Sequence, residues 1–275
     1  FGNRSVIVNR QDLRQPETVT RLLLLNGAAF FFCLFLSDVP LVSHAQNDES
    51  VPLILPVDRL TSEMGLPSDL VMKSHQDRKG FMWFVTFRGL VKYDGYDFVV
   101  YQNQPKNPNS LSCDELYDLV EDNDGVFWIA SKEGLNRFDS KTGTFKRFFH
   151  HPNDPVSLRD HTIIALLKDS RGRLWIGTGY GGLHLYDRER ESFQAFQHDD
   201  RDPQSLSSNR ISCLSESPSG KIWVGTLDNE GIWDLFDPVT QKCQHYTYYN
   251  ADTRIHDVIS LLSQPDGTVW YGTWG

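Results

Sequence analysis

The chain has 275 residues, enough for one large domain or two ordinary ones with a sizeable core. Its 27 Lys and Arg against 36 Asp and Glu give a charge of -9, the wrong sign for a surface that attracts nucleic-acid phosphates or anionic lipid, so nucleic acid is not an expected partner. Twenty Gly, 13 Pro, 12% aromatic residues and only 3 Met describe strands and turns, and exclude a disordered chain or a coiled coil.

Residues 1–45 read as a secretory signal with a short upstream segment. Arg21 precedes an apolar run from Leu22 to Leu36, and a polar stretch ends Ser43-His44-Ala45, with small residues where a signal peptidase reads them. That run is shorter than the roughly 20 residues of a membrane span, and Asn26, Asp38 and Pro40 interrupt any extension. Cleavage is expected after Ala45; the three Phe residues before Cys33 argue against a lipoprotein. The segment holds four Arg and three acids, which leaves 23 bases against 33 acids, a charge of -10, on residues 46–275. Export permits disulfides, but Cys113, Cys213 and Cys243 are odd in number and unrelated in spacing, and read as small buried or half-buried side chains. Phe1 in place of an initiating Met, and a last unit that stops at Gly275, read as a fragment of a longer protein.

The segment Leu53 to Leu60 is expected to add a strand to the last blade of a closed ring, leaving an unpaired edge and an association-prone fragment where that blade is missing. From here on the sequence repeats. Trp83, Trp128, Trp175, Trp223 and Trp270 are 45, 47, 48 and 47 residues apart. Each has a glycine three positions earlier (Gly80, Gly125, Gly172, Gly220, Gly267) and Thr or Ser three positions later. A glycine-containing turn and an aromatic-Asp pair follow: Tyr93-Asp94, Phe138-Asp139, Tyr186-Asp187 and Phe236-Asp237.

One unit shows the physics. Thr162 to Lys168 is strand-like, Asp169-Ser-Arg-Gly172 turns it, and Leu174 to Thr178 runs back; Asp at the first and Gly at the fourth position suit a type I turn. Later units replace Asp with Ser217 and Gln264 but add Pro218 and Pro265 at the second position, where a fixed φ favours the same turn. Leu183 to Tyr186 and Phe193 to Phe196 supply a third and a fourth strand. The fold class is therefore all-β: a β-propeller of four-stranded antiparallel blades, about four and a half of an expected seven, over residues 46–275. The tryptophans read as packing residues in the wedge between adjacent blades. The connections Asn107-Pro-Asn-Ser-Leu111, Asp154-Pro-Val-Ser-Leu158 and Asp202-Pro-Gln-Ser-Leu206 repeat too, Asn/Asp-Pro starting a turn and Ser-Leu docking its end.

Leu174-Trp-Ile-Gly-Thr178, Ile222-Trp-Val-Gly-Thr226, the linker Asp-Pro-x-Ser-Leu, the opening Gly65-Leu-Pro-Ser68 and Tyr93-Asp-Gly-Tyr-Asp-Phe98 resemble the two-component regulator propeller family over residues 54 to 275. Kelch and WD40 propellers match less well, since no Gly-Gly doublet recurs and Trp233-Asp234 is out of phase. The resemblance implies a periplasmic sensor of a bacterial membrane receptor, commonly two seven-bladed propellers, a β-sandwich, one membrane helix and a cytoplasmic histidine kinase or, in some cases, a diguanylate cyclase. It implies a homodimer when full length, with the chain's own membrane and output domains as partners. No kinase, receiver or cyclase signature occurs in these residues, so no catalytic residue and no cofactor is assigned to them.

The inter-blade loops and the turns after each second strand reach one face of a propeller, the usual place for a ligand. Arg88, Arg159, Tyr180 and Arg210 are the candidate ligand-binding residues there, with Lys132, His161, Arg254 and His256 nearby in the pattern. Arg clamps and an aromatic platform suit a small molecule or an oligosaccharide fragment carrying negative charge. No metal site is assigned: Asp118 to Gly125 misaligns with a calcium loop, and His150-His151 reads as a pair of surface histidines. A secreted glycan-active enzyme would need a carboxylate pair, for which Glu115, Asp228 and Glu230 are the candidates among the acids outside the repeat; a protein-binding scaffold is the third class.

Overall fold

The computed structural model describes residues 7–8, 60–122, 125–227, 231–247 and 257–274. The signal segment other than Ile7–Val8, the expected closing strand other than Leu60, and Asp228, Glu230, Arg254 and His256 lie outside these residues. Among the described residues, no helix is long and apolar enough to cross a membrane.

Four sheets of four antiparallel strands follow one another along the chain, each strand paired with the next in sequence. The first blade is β2 (Val71–Gln76), β3 (Met82–Thr86), β4 (Gly89–Tyr93) and β5 (Phe98–Tyr101), preceded by β1 (Ile7–Val8) and a 3-10 turn at Ser62–Met64. The second blade is β6 (Leu116–Glu121), β7 (Val126–Ser131), β8 (Gly134–Asp139) and β9 (Thr144–Phe148). The third is β10 (Ile163–Lys168), β11 (Leu174–Thr178), β12 (Leu183–Asp187) and β13 (Ser192–Phe196), and the fourth is β14 (Ile211–Glu216), β15 (Ile222–Thr226), β16 (Ile232–Asp237) and β17 (Lys242–Thr247). A fifth unit supplies the hairpin β18 (Asp257–Ser263) and β19 (Val269–Trp274), whose outer edge pairs with β1. Successive first strands touch, β2 with β6, β6 with β10, β10 with β14 and β14 with β18, so the first strand of each blade lies at the axis and the fourth at the rim.

The repeated residues explain this geometry one contact at a time. In each turn between first and second strands the glycine adopts a left-handed φ, from 72° to 88°, which a side chain would strain, and its N–H donates to the residue three back. The turn's first residue does more than start it. Asp77, Asp122 and Asp169 each accept the indole N–H of the tryptophan six residues later, at 2.8, 3.2 and 2.9 Å. Held at that end, each ring lies against the next blade: Trp83 meets Phe127 at 4.7 Å, Trp128 meets Tyr186 at 4.8 Å and Trp175 meets Phe236 at 5.6 Å between ring centres. These three rings are buried, while Trp270 on β19 is 37% exposed.

Every first strand carries a bulge near its start, between Val71 and Lys73, Leu116 and Asp118, Ile163 and Ala165, Ile211 and Cys213, and Val258 and Ser260. A bulge bends a strand and re-aims a side chain. Asp118 shows the result at the axis: it is paired with Lys73 of the first blade, and its other oxygen accepts Leu166 N of the third at 2.7 Å. The aromatic-Asp pairs end each third strand in Asx turns, with Asp94, Asp139, Asp187 and Asp237 all accepting backbone N–H groups two residues on.

Candidate functional site

Antiparallel blades place the turns between second and third strands and the inter-blade linkers on the same face. The linker is built to be fixed. Asn107, Asp154 and Asp202 accept the N–H two residues on, and Ser110, Ser157 and Ser205 bond both an N–H and a carbonyl six residues back. Leu111, Leu158 and Leu206 then plug the core between blades, at most 2% exposed. Each linker also accepts an N–H from the rim strand of the following blade: Asn109 O from Phe145, Val156 O from Phe193 and Gln204 O from Cys243.

A buried polar residue on the third strand receives the linker's end. Asn136 Oδ1 accepts Ser112 N at 2.9 Å, His184 Nε2 accepts Arg159 N at 3.1 Å, and Asp234 Oδ2 accepts Ser207 N at 2.8 Å. All three are fully buried. Burial pushes the His184 ring down to about 4, so it is neutral and free to accept. None of the three stands out by residue type alone, yet each directly follows the apolar residue after the turn (Leu135, Leu183, Trp233), and that phase was the available signal. Trp233-Asp234 is thus in register with Leu135-Asn136 and Leu183-His184, although Trp233 does not share the position of the second-strand tryptophans.

In the third blade this scaffold presents the candidate residues. The turn Gly179-Tyr180-Gly181-Gly182 is fastened on every side: Gly179 N donates to Thr162 O (2.9 Å), Tyr180 N to Asp160 Oδ2 (2.6 Å), Gly181 N to Thr178 Oγ1 (2.9 Å) and Gly182 N to Asn209 O (2.9 Å). A Cβ at Gly181 would lie 2.9 Å from the Arg159 backbone, so only glycine lets turn and linker approach this closely. Tyr180, 68% exposed, is therefore an aromatic platform on a rigid base, and the Arg210 guanidinium lies 5.1 Å from its ring centre.

The four sequence candidates divide. Tyr180 and Arg210 are brought together. Arg159 lies beneath the same turn, but its Nη2 folds back to Pro155 O at 3.0 Å and its buried Nε has no hydrogen-bond partner among the described residues. Arg88 occupies the matching turn of the first blade, two blades away, with its backbone N on Thr86 Oγ1 and its carbonyl accepting Gln102 Nε2.

Other polar residues of this face are engaged with one another. Lys132 Nζ and Tyr117 Oη donate to the two oxygens of Glu115 at 2.9 and 2.7 Å, and the Lys132 bond first of all holds the Glu115 carboxyl below its ordinary range. An ionised, neutralised carboxylate is poorly suited to act as a general acid. His150 is not a surface histidine: it is half-buried with Nδ1 2.6 Å from Leu158 O, because the chain leaving the rim strand must be tied to the linker. Cys113 and Cys213 are half-buried and Cys243 is buried, all as free thiols; burial pushes the Cys213 thiol up to about 12. Among the described residues, no group of three His, Cys, Asp or Glu could hold a metal ion.

The two component regulator propeller family matches residues 157–180 and 205–228, which run from each linker Ser through the second strand of blades 3 and 4. Those two stretches are similar to two component regulator propeller repeats. The repeats contain Arg159 and Tyr180 in one copy and Arg210 in the other. No curated protein matches the chain. Among solved structures, it is similar to the extracellular domain described for a one component system, BT4673, from B. thetaiotaomicron, at 24% identity, TM-score 0.63, 78% of this chain and 30% of that one. It is also similar to the extracellular domain described for a hybrid two component system, BT3049, from the same organism, at 20% identity, TM-score 0.50, 79% of this chain and 40% of that one. Virginiamycin B lyase from Staphylococcus aureus is similar at 12% identity, TM-score 0.54, 72% of this chain and 61% of that one. At these identities the likeness is one of fold, and the chain spans well under half the length of the two extracellular domains.

Proposed function

We propose that the chain is the ligand-sensing, extracytoplasmic propeller of a bacterial transmembrane receptor, with a histidine kinase as its output and the kinase residues outside residues 1–275. The observation that carries this reading is the coincidence of the family repeats with the platform: residues 157–180 and 205–228 contain Arg159, Tyr180 and Arg210. The signal-like segment that ends at Ala45 supports export. An exposed Tyr beside a guanidinium suits a pyranose ring stacked on the phenol with an acidic substituent on the arginine. Ligand binding would bias packing between propellers or dimer mates, and one membrane helix would carry that bias to the kinase.

The test is a titration of the chain with a panel of neutral and acidic oligosaccharides, followed by thermal shift and by chromatography for products. An acidic oligosaccharide should bind without being cleaved, and Tyr180→Ala and Arg210→Ala should each weaken binding about tenfold, while Arg88→Ala should not. Product formation would make the propeller an enzyme, and failure of every sugar to bind would favour a scaffold; either overturns the reading.

A further inference from the structure

The linker between blades 3 and 4 is gripped by two histidines, each with both ring nitrogens against an oxygen. His198 places Nδ1 2.6 Å from Leu206 O and Nε2 2.9 Å from Asp200 Oδ1. His245, on the rim strand β17, places Nδ1 2.7 Å from Asp234 Oδ1 and Nε2 2.8 Å from Pro203 O. A neutral imidazole has one N–H and can serve one of these oxygens; the imidazolium serves both. Asp234 in turn accepts Ser207 N at 2.8 Å and Ser207 Oγ at 3.0 Å, so His245 holds the linker directly and through the buried carboxylate.

The neighbouring linkers do the same work without an ionising histidine. At the position of His198, Asn103 Nδ2 donates to Leu111 O and Ser112 O at 2.6 and 2.9 Å. At the position of His245, Arg147 stands opposite Asn136 and donates Nε to Ser110 O at 2.6 Å and Nη2 to Asn107 O at 2.7 Å. Between blades 2 and 3, His150 meets a single acceptor, Leu158 O, which the neutral ring satisfies, and Ala195 stands opposite His184. Two rings that need a second proton therefore converge on one joint.

We propose that residues 198–207 form a proton-dependent clasp, closed when His198 and His245 are both imidazolium ions and loosened, by one hydrogen bond per ring, when they lose those protons. The surroundings favour the charged rings. The Leu206 carbonyl first, then Asp200, raises the pKa of His198. Burial alone would lower that of His245, but Asp234 and the Pro203 carbonyl outweigh it and leave it raised. Burial pushes the Asp234 carboxyl up, and the Ser207 donors and His245 offset this only in part, so it stays raised; Asp234 and His245 titrate as a coupled pair. The charged groups around the clasp are Asp199, Asp200, Arg201 and Asp202 of the linker, Asp234 on β16 and Lys242 on β17, whose Nζ bonds Gln204 Oε1; each histidine also disfavours charging of the other. Because both folded values lie above the ordinary histidine value, the stabilisation is complete below about 6.5 and is lost as pH rises through the folded values. The loosening reaches Asn209, which accepts His198 N on its side-chain oxygen and Gly182 N, beneath Tyr180, on its backbone carbonyl. The clasp stands on its own contacts and does not depend on the sensor reading.

Hydrogen exchange of the full chain, corrected for intrinsic rates and compared at about pH 6 and about pH 8, tests the clasp. Protection across 199–207 should fall about tenfold relative to the matching linker 151–158. Equal pH dependence in the two linkers would overturn the proposal. An NMR titration of the same protein should place His198 and His245 above the ordinary histidine value of about 6.5, and finding either at or below it would likewise overturn the proposal. The double variant His198→Asn with His245→Arg carries the side chains used at the first linker; it should hold 199–207 equally well at both pH values, and a variant that keeps the wild-type pH dependence would count against the clasp.

Discussion

Asp169 is 2% exposed and accepts four donors: Arg171 N at 3.1 Å, Arg173 N at 2.9 Å, Arg173 Nε at 2.6 Å and Trp175 Nε1 at 2.9 Å. One carboxylate thus shapes a turn and fixes the ring that packs blade 3 on blade 4. Asp169→Ala leaves several buried donors without acceptors and should cost about 2–4 kcal/mol in urea unfolding. Burial would raise the Asp169 pKa, but the Trp175 and Arg173 donors outweigh it and hold it below the ordinary 3.8. Its contribution is therefore complete above pH 3.8 and lost as pH falls through the lower folded value, and the Ala variant should be less sensitive to acid over that range. The fourth blade offers the reverse experiment. Ser217 replaces the aspartate, and the buried Trp223 Nε1 has no hydrogen-bond partner among the described residues. Ser217→Asp should supply one and raise stability by about 1 kcal/mol; no gain would mean that the Asp-indole bond is a consequence of the packing rather than a cause of it.

At the scale of the element, the linker is where sequence and structure can be weighed. Its turn was legible, because Asp-Pro acts on its own backbone, and so was the docking leucine. Leu158 is completely buried among Trp128, Leu135, Ile163 and Tyr186, and Leu158→Ala should cost about 2–5 kcal/mol, whereas Val156→Ala, at a residue 52% exposed, should be nearly neutral by the same chemical denaturation. The strands were equally legible, since Gly172, Trp175 and Thr178 act within a few residues of one another; the expected strand Leu174 to Thr178 is β11. What sequence did not disclose depends on partners far along the chain. The bulge after Leu116 has no local residue type to announce it. Asn136, His184 and Asp234 look like ordinary strand residues until the linker of the preceding blade is laid across them. His150 reads as a surface residue until Leu158 O is placed beside it. For the candidate site, the shared face of Arg159, Tyr180 and Arg210 followed from topology, but the stacking of Arg210 on Tyr180 and the folding back of Arg159 are matters of side-chain direction, which no spacing encodes.

Blades in a propeller touch mainly their neighbours, so the stability of the whole depends on how well adjacent units are coupled. Asp118 is one such coupling near the axis, where one side chain ties three blades: its own, Lys73 of the first and Leu166 N of the third. The two bonds differ in weight. Lys73 is 38% exposed, so solvent screening reduces the ion pair to at most about 1 kcal/mol, whereas Leu166 is 4% exposed and its N–H loses a charged acceptor if Asp118 is removed. Asp118→Asn keeps an oxygen for Leu166 N and gives up the charge, so it should cost little and make stability less dependent on salt. Asp118→Ala removes both bonds and should cost about 2–3 kcal/mol. If Asp118 couples the blades, the Ala variant should also unfold over a broader range of urea, with a smaller slope, as the first blade separates from the rest. A lower midpoint with an unchanged slope would mean that the blades unfold together without it, and that the buried tryptophans between them are enough to make the array cooperative.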